Sequence, residues 1–154
     1  MKKFKYLILI FFICNCGFKV IDPSNLQDFY IDNIDTSGDK RIAYYIKNKL
    51  SIKSKDSTKE NINLFIDVKK TKTVKEKSTS NEITKYLVVI NLEAKIEHYD
   101  KIIETFNISE QKDYNVGSTY SQTIVNENQV IKSLNEILVN KLIKKISLIN
   151  FNDL

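Results

Sequence analysis

The sequence predicts an α+β domain: a four-stranded sheet covered by two helices in a two-layer sandwich, ordered β-α-β-β-β-α. Three observations carry this. From Thr84 to His98 the even positions Tyr86, Val88, Ile90, Leu92, Ala94 and Ile96 are all apolar, while Asn91, Glu93, Lys95 and Glu97 alternate with them; a period of two marks a strand with one buried face. From about Gln122 to Ile149 there is neither Pro nor Gly, and Val130, Leu134, Ile137, Leu138, Leu142, Ile146 and Ile149 recur at helical spacing. Ile42, Tyr45, Ile46 and Leu50 mark a second, shorter amphipathic helix. Two apolar helical stripes suffice to cover one face of such a sheet.

The elements follow in order. A short strand spans Phe29 to Ile34, and Asp35, Thr36, Ser37, Gly38 and Asp39 cluster as turn formers that cap a helix from near Lys40 to near Ile52. Ser54 to Asn61 is polar, after which Ile62, Leu64, Ile66 and Val68 fall on one face of a second strand. Lys69 to Asn81, basic and hydroxyl-rich, reads as the connection to the third strand. Tyr99-Asp100-Lys101 is a short hairpin turn into Ile102 to Tyr114, making the third and fourth strands antiparallel neighbours. Asn115 to Thr123 is a loop whose hydroxyls offer caps for the last helix. No repeat and no second domain is visible, so residues 29–150 form one unit.

What precedes that unit has a different chemistry. Lys2, Lys3 and Lys5 are followed by an unbroken apolar run from Tyr6 to Ile13, the build of a secretory signal and too short for the roughly 20 residues of a membrane span. Cys16-Gly17 directly after it resembles a bacterial lipobox. The resemblance implies that residues 1–15 are a lipoprotein signal peptide, that Cys16 is acylated, and that residues 16–28 lead from lipid to domain. Cys14 leaves with the signal, so no thiol remains for redox work.

Composition excludes more than it assigns. The 154 residues include one Pro, three Gly, two Cys and one His, with 42% hydrophobic residues, which fits neither a disordered chain nor a disulfide scaffold. The formal charge of +5 falls to +2 once Lys2, Lys3 and Lys5 leave, 21 Lys and Arg remaining against 19 acids, so a nucleic-acid partner is not expected. No Gly-rich phosphate loop, serine elbow or paired metal-ligand motif is present. The expectation is therefore no enzyme, no catalytic residue, no metal and no cofactor. His98, at a strand end beside a turn, reads as structural or incidental at an exposed edge.

The densest charge feature is Lys69, Lys70, Lys72, Lys75 and Lys77. These lysines either blunt a sheet edge in solvent or face phosphate groups. Phe65, Leu87 and Val89 lie on the otherwise polar face of the central strands, as contacts for a partner or under a second layer of the protein itself.

Three stretches together resemble the lipopolysaccharide-assembly lipoprotein family LptE (RlpB), in its alphaproteobacterial form: Cys16-Gly17-Phe18, the helix of Gly38 to Leu50 with Arg41 and an Asn48-x-Leu50 ending, and, most distinctive, Asp113 to Ile146 with Tyr114-Asn115, Ser118-x-Tyr120 and a long Leu-bearing helix. The resemblance implies an outer-membrane lipoprotein on the periplasmic side. It would sit in the LptD-like β-barrel of the lipopolysaccharide translocon, assist its assembly and contact lipopolysaccharide (LPS), with Lys69 to Lys77 toward LPS and Phe65, Leu87 and Val89 toward the barrel wall. A periplasmic lipoprotein that tethers or activates another envelope complex is the alternative, because fold does not fix function.

Overall fold

A computed structural model describes residues 29–53 and 60–149. The signal peptide, Cys14, Cys16 and the lead to residue 28 lie outside the described residues. The elements are β1 (Phe29–Gly38), α1 (Lys40–Lys53), β2 (Glu60–Lys77), β3 (Ile83–His98), β4 (Lys101–Asn115) and α2 (Tyr120–Ile146). This is the α+β order β-α-β-β-β-α, with the four strands in one sheet in the order β1-β2-β3-β4.

Strand β1 pairs parallel with β2, and β2–β3 and β3–β4 are antiparallel. A parallel neighbour needs a crossover, which α1 supplies. Strand β1 runs to Gly38, four residues beyond the predicted Ile34, so Asp35 to Ser37 belong to the strand. The turn is concentrated at Gly38, whose φ of +83° and contact with β2 admit no side chain: a Cβ there would lie 2.0 Å from the Val68 carbonyl oxygen. The next residue, Asp39, donates its N–H to that same carbonyl at 2.7 Å and accepts from the Ile42 N–H at 3.2 Å, capping α1 as expected. One glycine thus ends the sheet pairing and starts the helix.

The largest departure from the sequence reading is β2. It does not stop at Val68 but runs 18 residues to Lys77, converting most of the expected Lys69–Asn81 connection into strand. The actual loop is Ser78 to Glu82, closed by Ser78 N–H to the Glu82 carbonyl at 2.8 Å and turned at Asn81, with φ 65°. Pairing with β3 continues from Lys69↔Asn91 to Lys77↔Ile83, and that long-range ladder is what a single polar segment does not reveal.

The core lies between the sheet and the helices. Ile62, Leu64, Ile66 and Val68 of β2 and Val88, Ile90, Leu92, Ala94 and Ile96 of β3 are buried against Ile42, Ile46 and Leu50 of α1 and Leu134, Leu138 and Leu142 of α2, each Val, Leu or Ile side chain contributing about 1.5–3 kcal/mol. Helix α2 begins at Tyr120 behind the N-cap Thr119, whose side chain accepts from the Gln122 N–H. Ile137, placed on its buried stripe by spacing, is exposed instead, and Asn135 is buried in its place. Of the other expected stripe positions, Val130, Leu134, Leu138, Leu142 and Ile146 are buried, while Ile149 lies past the helix end and is half-buried.

Candidate functional site

The even positions of β2 and β3 meet the helices, so the odd positions form the opposite face, and no described element covers it. Its rows follow from the register: Asp35–Phe65–Lys95–Thr105, Ser37–Asp67–Glu93–Asn107, Lys69–Asn91–Ser109, Thr71–Val89–Gln111 and Thr73–Leu87–Asp113. The face is mostly polar. Phe65 is exposed, as expected. Leu87 and Val89, expected to be exposed, are half-buried instead, Leu87 between Thr73 and Asp113 and Val89 between Thr71 and Gln111. Two shallow depressions lie on this face. One of about 240 Å³ is lined by Asp35, Ser37, Phe65, Asp67, Glu93 and Lys95, and one of about 320 Å³ by Asp67, Lys69, Asn91, Glu93, Asn107 and Ser109. Ser37 donates to Asp67 at 2.5 Å.

The five lysines do not form one cluster. Because they lie on a strand, alternation sends Lys69 to the open face beside Asn91, and Lys70 and Lys72 to the helix side, paired with Ile90 and Val88. Lys70 lies 3.8 Å from Asp39, Lys75 is 2.8 Å from Asp113, and Lys77 donates to Asn81 at 3.1 Å. Lys69 alone of the five has no ion pair or hydrogen bond among the described residues. Beyond Gly38↔Val68 no described strand flanks β2 on the β1 side, so among the described residues Lys69 to Lys77 is a half-open edge, the setting in which lysines block strand addition.

Lys72 is the most deeply committed. Its Nζ lies 2.5 Å from Glu127 on α2, 4.3 Å from the centroid of Tyr86 and 5.4 Å from that of Tyr114. Tyr114 also donates to Glu127, at 2.7 Å. Burial pulls the Lys72 ammonium down, but the hydrogen bonds with Glu127 and Tyr114 overcome it and hold its pKa at about 12. Burial likewise pushes Glu127 up, and the same Lys72 and Tyr114 contacts bring it below the usual glutamate value. For Tyr114, burial dominates and raises the hydroxyl. Tyr86 and Tyr114 stack at 5.7 Å. Sequence reasoning missed this network because its members lie 13 to 55 positions apart; the signal it could have used was Lys72 falling on the even, buried-side phase of β2.

His98 is not at an exposed edge. It continues the even, buried phase of β3, is 8% exposed, donates from Nδ1 to the Asn61 carbonyl at 2.8 Å and packs on Tyr99 with ring centroids 4.1 Å apart. That is a structural role, tying β3 to the start of β2. Among the described residues no group of three His, Cys, Asp or Glu side chains could hold a metal ion, and no helix is long and apolar enough to cross a membrane.

No protein-family model matches the sequence, and no curated protein matches it. Solved structures do. A solution structure of an uncharacterized lipoprotein B from Nitrosomonas europaea is similar over 85% of this chain and 90% of its own, at 14% identity and a TM-score of 0.63. A minor lipoprotein from Acinetobacter baumannii matches over 80% and 92%, at 12% identity and a TM-score of 0.59. A rare lipoprotein B from Shewanella oneidensis matches over 75% and 90%, at 12% identity and a TM-score of 0.49. At these identities the likeness of the first two is one of fold, and the chain has the two-layer α+β fold that those two lipoprotein structures share.

Proposed function

We propose that this chain is an envelope lipoprotein of the LptE kind, acylated at Cys16 and anchored on the periplasmic side of the outer membrane, where it serves as a non-enzymatic subunit of the LPS translocon. The observation that carries the reading is the uncovered sheet face in a fold shared with lipoprotein structures. The sheet presents five successive mixed rows, two across four strands and three across β2, β3 and β4, with Phe65, Leu87 and Val89 as the apolar points, and no layer of the described chain lies over them. A polar face with a few apolar anchors suits a protein partner better than a catalytic step, and the two depressions on it are shallow. The partner in this reading is an LptD-like β-barrel, whose wall takes Phe65, Leu87 and Val89.

Contact with LPS phosphates falls in this reading to the lysines at the solvent side of the β2–β3 hairpin, Lys69, Lys75 and Lys77. Lys70 and Lys72 are held by Asp39 and Glu127 and serve the fold first. Charge reversal of Lys69 and Lys77 is expected to weaken binding of phosphorylated LPS; unchanged binding returns them to edge protection.

The test of the whole reading is affinity capture of the full-length protein from detergent-solubilised membranes, with mass spectrometry of its partners. A stoichiometric large β-barrel is the expected result, weakened by Phe65→Asp on the open face. Capture of a different envelope complex overturns the translocon assignment in favour of a tethering or activating lipoprotein. Acylation is read separately, as palmitate incorporation lost in Cys16→Ser.

A further inference from the structure

The described sheet has three edges without a neighbouring strand, and they are unequal. Along β1 the outer edge is broken by the extra residue Asp32, and the Ile34 carbonyl is taken by the Lys47 ammonium at 2.6 Å. Along β4 the register skips Ile103, and α2 lies beside the strand, tied to it from Asn126 at the Asn115 carbonyl to Lys145 over Phe106. Bulges and a covering helix are devices that deter strand addition. The third edge is the β1 side of β2 beyond Val68, in line with β1 where Gly38 turns it out of the sheet. There the register with β3 is unbroken from Val68 to Val74, and no described strand or helix pairs with the backbone.

On a strand the N–H and C=O of one residue point to the same side and those of the next residue to the other. The Val68 carbonyl points to the β1 side, since it accepts from the Asp39 N–H. The same phase gives Lys70, Lys72 and Val74 to the open edge, each with an N–H and a C=O that no described group meets, while the backbone of Lys69, Thr71 and Thr73 faces β3. The side chains decide what can use this edge. From Lys69 to Lys77 there are five lysines and one acid, Glu76. A second copy of the edge would set lysines against lysines across the new pair, which is unfavourable, whereas opposite charges across strands attract. On the open face Lys69 has no ion pair or hydrogen bond among the described residues, Lys75 meets Asp113 in solvent, and Thr71 and Thr73 lie between them. On the helix side Val74 is 45% exposed. A strand that matches carries an acid at each end of one face, β-branched or hydroxyl residues between them, and an apolar residue on the other face near Val74.

We propose that the free edge of β2 from Lys70 to Val74 receives an extended acidic segment of a partner protein as an added strand, continuing the line of β1. Main-chain hydrogen bonds from Lys70, Lys72 and Val74 hold the segment, and the lysines select the sign of its charge, excluding a second copy of this chain. The proposal goes beyond the translocon reading. Contact with LPS phosphates at these lysines needs their charges alone; strand addition also needs the backbone of the edge, and that difference separates the two.

The experiment measures amide hydrogen exchange, residue by residue, on the full-length protein in detergent. The probe is the end-capped peptide Ser-Glu-Val-Thr-Thr-Thr-Val-Glu-Ser, whose symmetric sequence sets a glutamate toward Lys69 and another toward Lys75 in either strand direction. At saturating peptide, exchange at Lys70, Lys72 and Val74 should slow by about fivefold or more, with no change at Thr71 and Thr73. The counterpart peptide with both glutamates replaced by lysine should give no slowing. Val74→Pro removes one edge-side N–H, keeps every lysine and leaves the ladder to β3 intact, so slowing at Lys70 and Lys72 should be lost. Lys69→Glu with Lys75→Glu leaves the edge backbone whole and should reverse the preference between the two peptides. No slowing with the acidic peptide, equal slowing with both peptides, or unchanged slowing in Val74→Pro overturns the added strand. Failure of the translocon reading is seen elsewhere, as absence of a barrel in the affinity capture, and leaves this measurement intact.

Discussion

Strand β2 contains two contrasting halves. From Ile62 to Val68 it has a hydrogen-bonded neighbour on each side, and every helix-facing residue is aliphatic and buried. From Lys69 to Lys77 β3 is its one neighbour among the described strands, and the helix-facing positions become Lys70, Lys72 and Val74. The boundary is where Gly38 turns β1 out of the sheet. On the first half two helices exclude water, so dispersion and the hydrophobic effect hold the layers together. On the second half the start of α1 reaches Lys70 through Asp39, the early turns of α2 cover the rest, and Glu127 meets Lys72 beside two tyrosine rings. The lesson is that one strand changes its mode of attachment where its cover thins, from shape complementarity to a partly shielded ion pair.

That contrast can be tested by breaking each half. Ile66→Ala, in the covered half, should lower unfolding free energy by about 3 kcal/mol in urea titration, since Ile66 is almost wholly buried and truncation leaves a cavity. A loss below about 1 kcal/mol would show that the helices close onto the vacated space.

In the overhanging half, Lys72→Met or Glu127→Gln should cost about 1–2 kcal/mol each, the hydrogen bonds being charged but partly solvated. Combining Lys72→Met with Glu127→Gln should cost less than the two losses added, because no charge is then left unpaired. Strict additivity would mean that the pair does not act as a unit.

The pair also gives the overhanging half a pH dependence. Glu127 titrates below its ordinary 4.5 in the fold, so its contribution is complete above that value and is lost as pH falls through the lower folded one. Lys72 is raised from 10.5 to about 12, so its contribution is complete below 10.5 and is lost as pH rises toward 12. The stability difference between wild type and Glu127→Gln should therefore be flat at neutral pH and shrink in acid; a difference that persists in strong acid would assign it to packing. The smallest effect is expected at the surface. Lys75→Ala removes an exposed contact to Asp113 and should leave the urea midpoint unchanged, whereas a clear shift would mean that the hairpin end is better ordered than its exposure implies.

How much of this was legible depended on the range of the interaction. The period-two alternation of β3 and the apolar stripes of both helices are local, and they placed the centre of the core, though not Ala43, Ile131, Val139 or Ile143 on the helices themselves. The caps at Asp39 and Thr119 were legible for the same reason, since a cap acts within three residues. Strand β2 beyond Val68 was not, because Lys69 to Lys77 has no apolar face of its own and is held extended by β3. His98 was misplaced although its phase was readable: an even position at the end of β3 is buried, and proximity to a turn proved the weaker signal. Ile137 and Asn135 exchanged places because the long helix meets neighbours whose outline no regular stripe encodes.

By itself, the sequence determined the element order, the α+β class, the buried phase of each central strand and the signal-like start, all consequences of spacing along one chain. Only the tertiary structure decided the length of β2, the division of its lysines between two faces, the Lys72–Glu127–Tyr114 network and the burial of His98 against the start of β2. These depend on which distant segments share one end or one face of the sheet, and contacts across tens of residues are set by how the layers close.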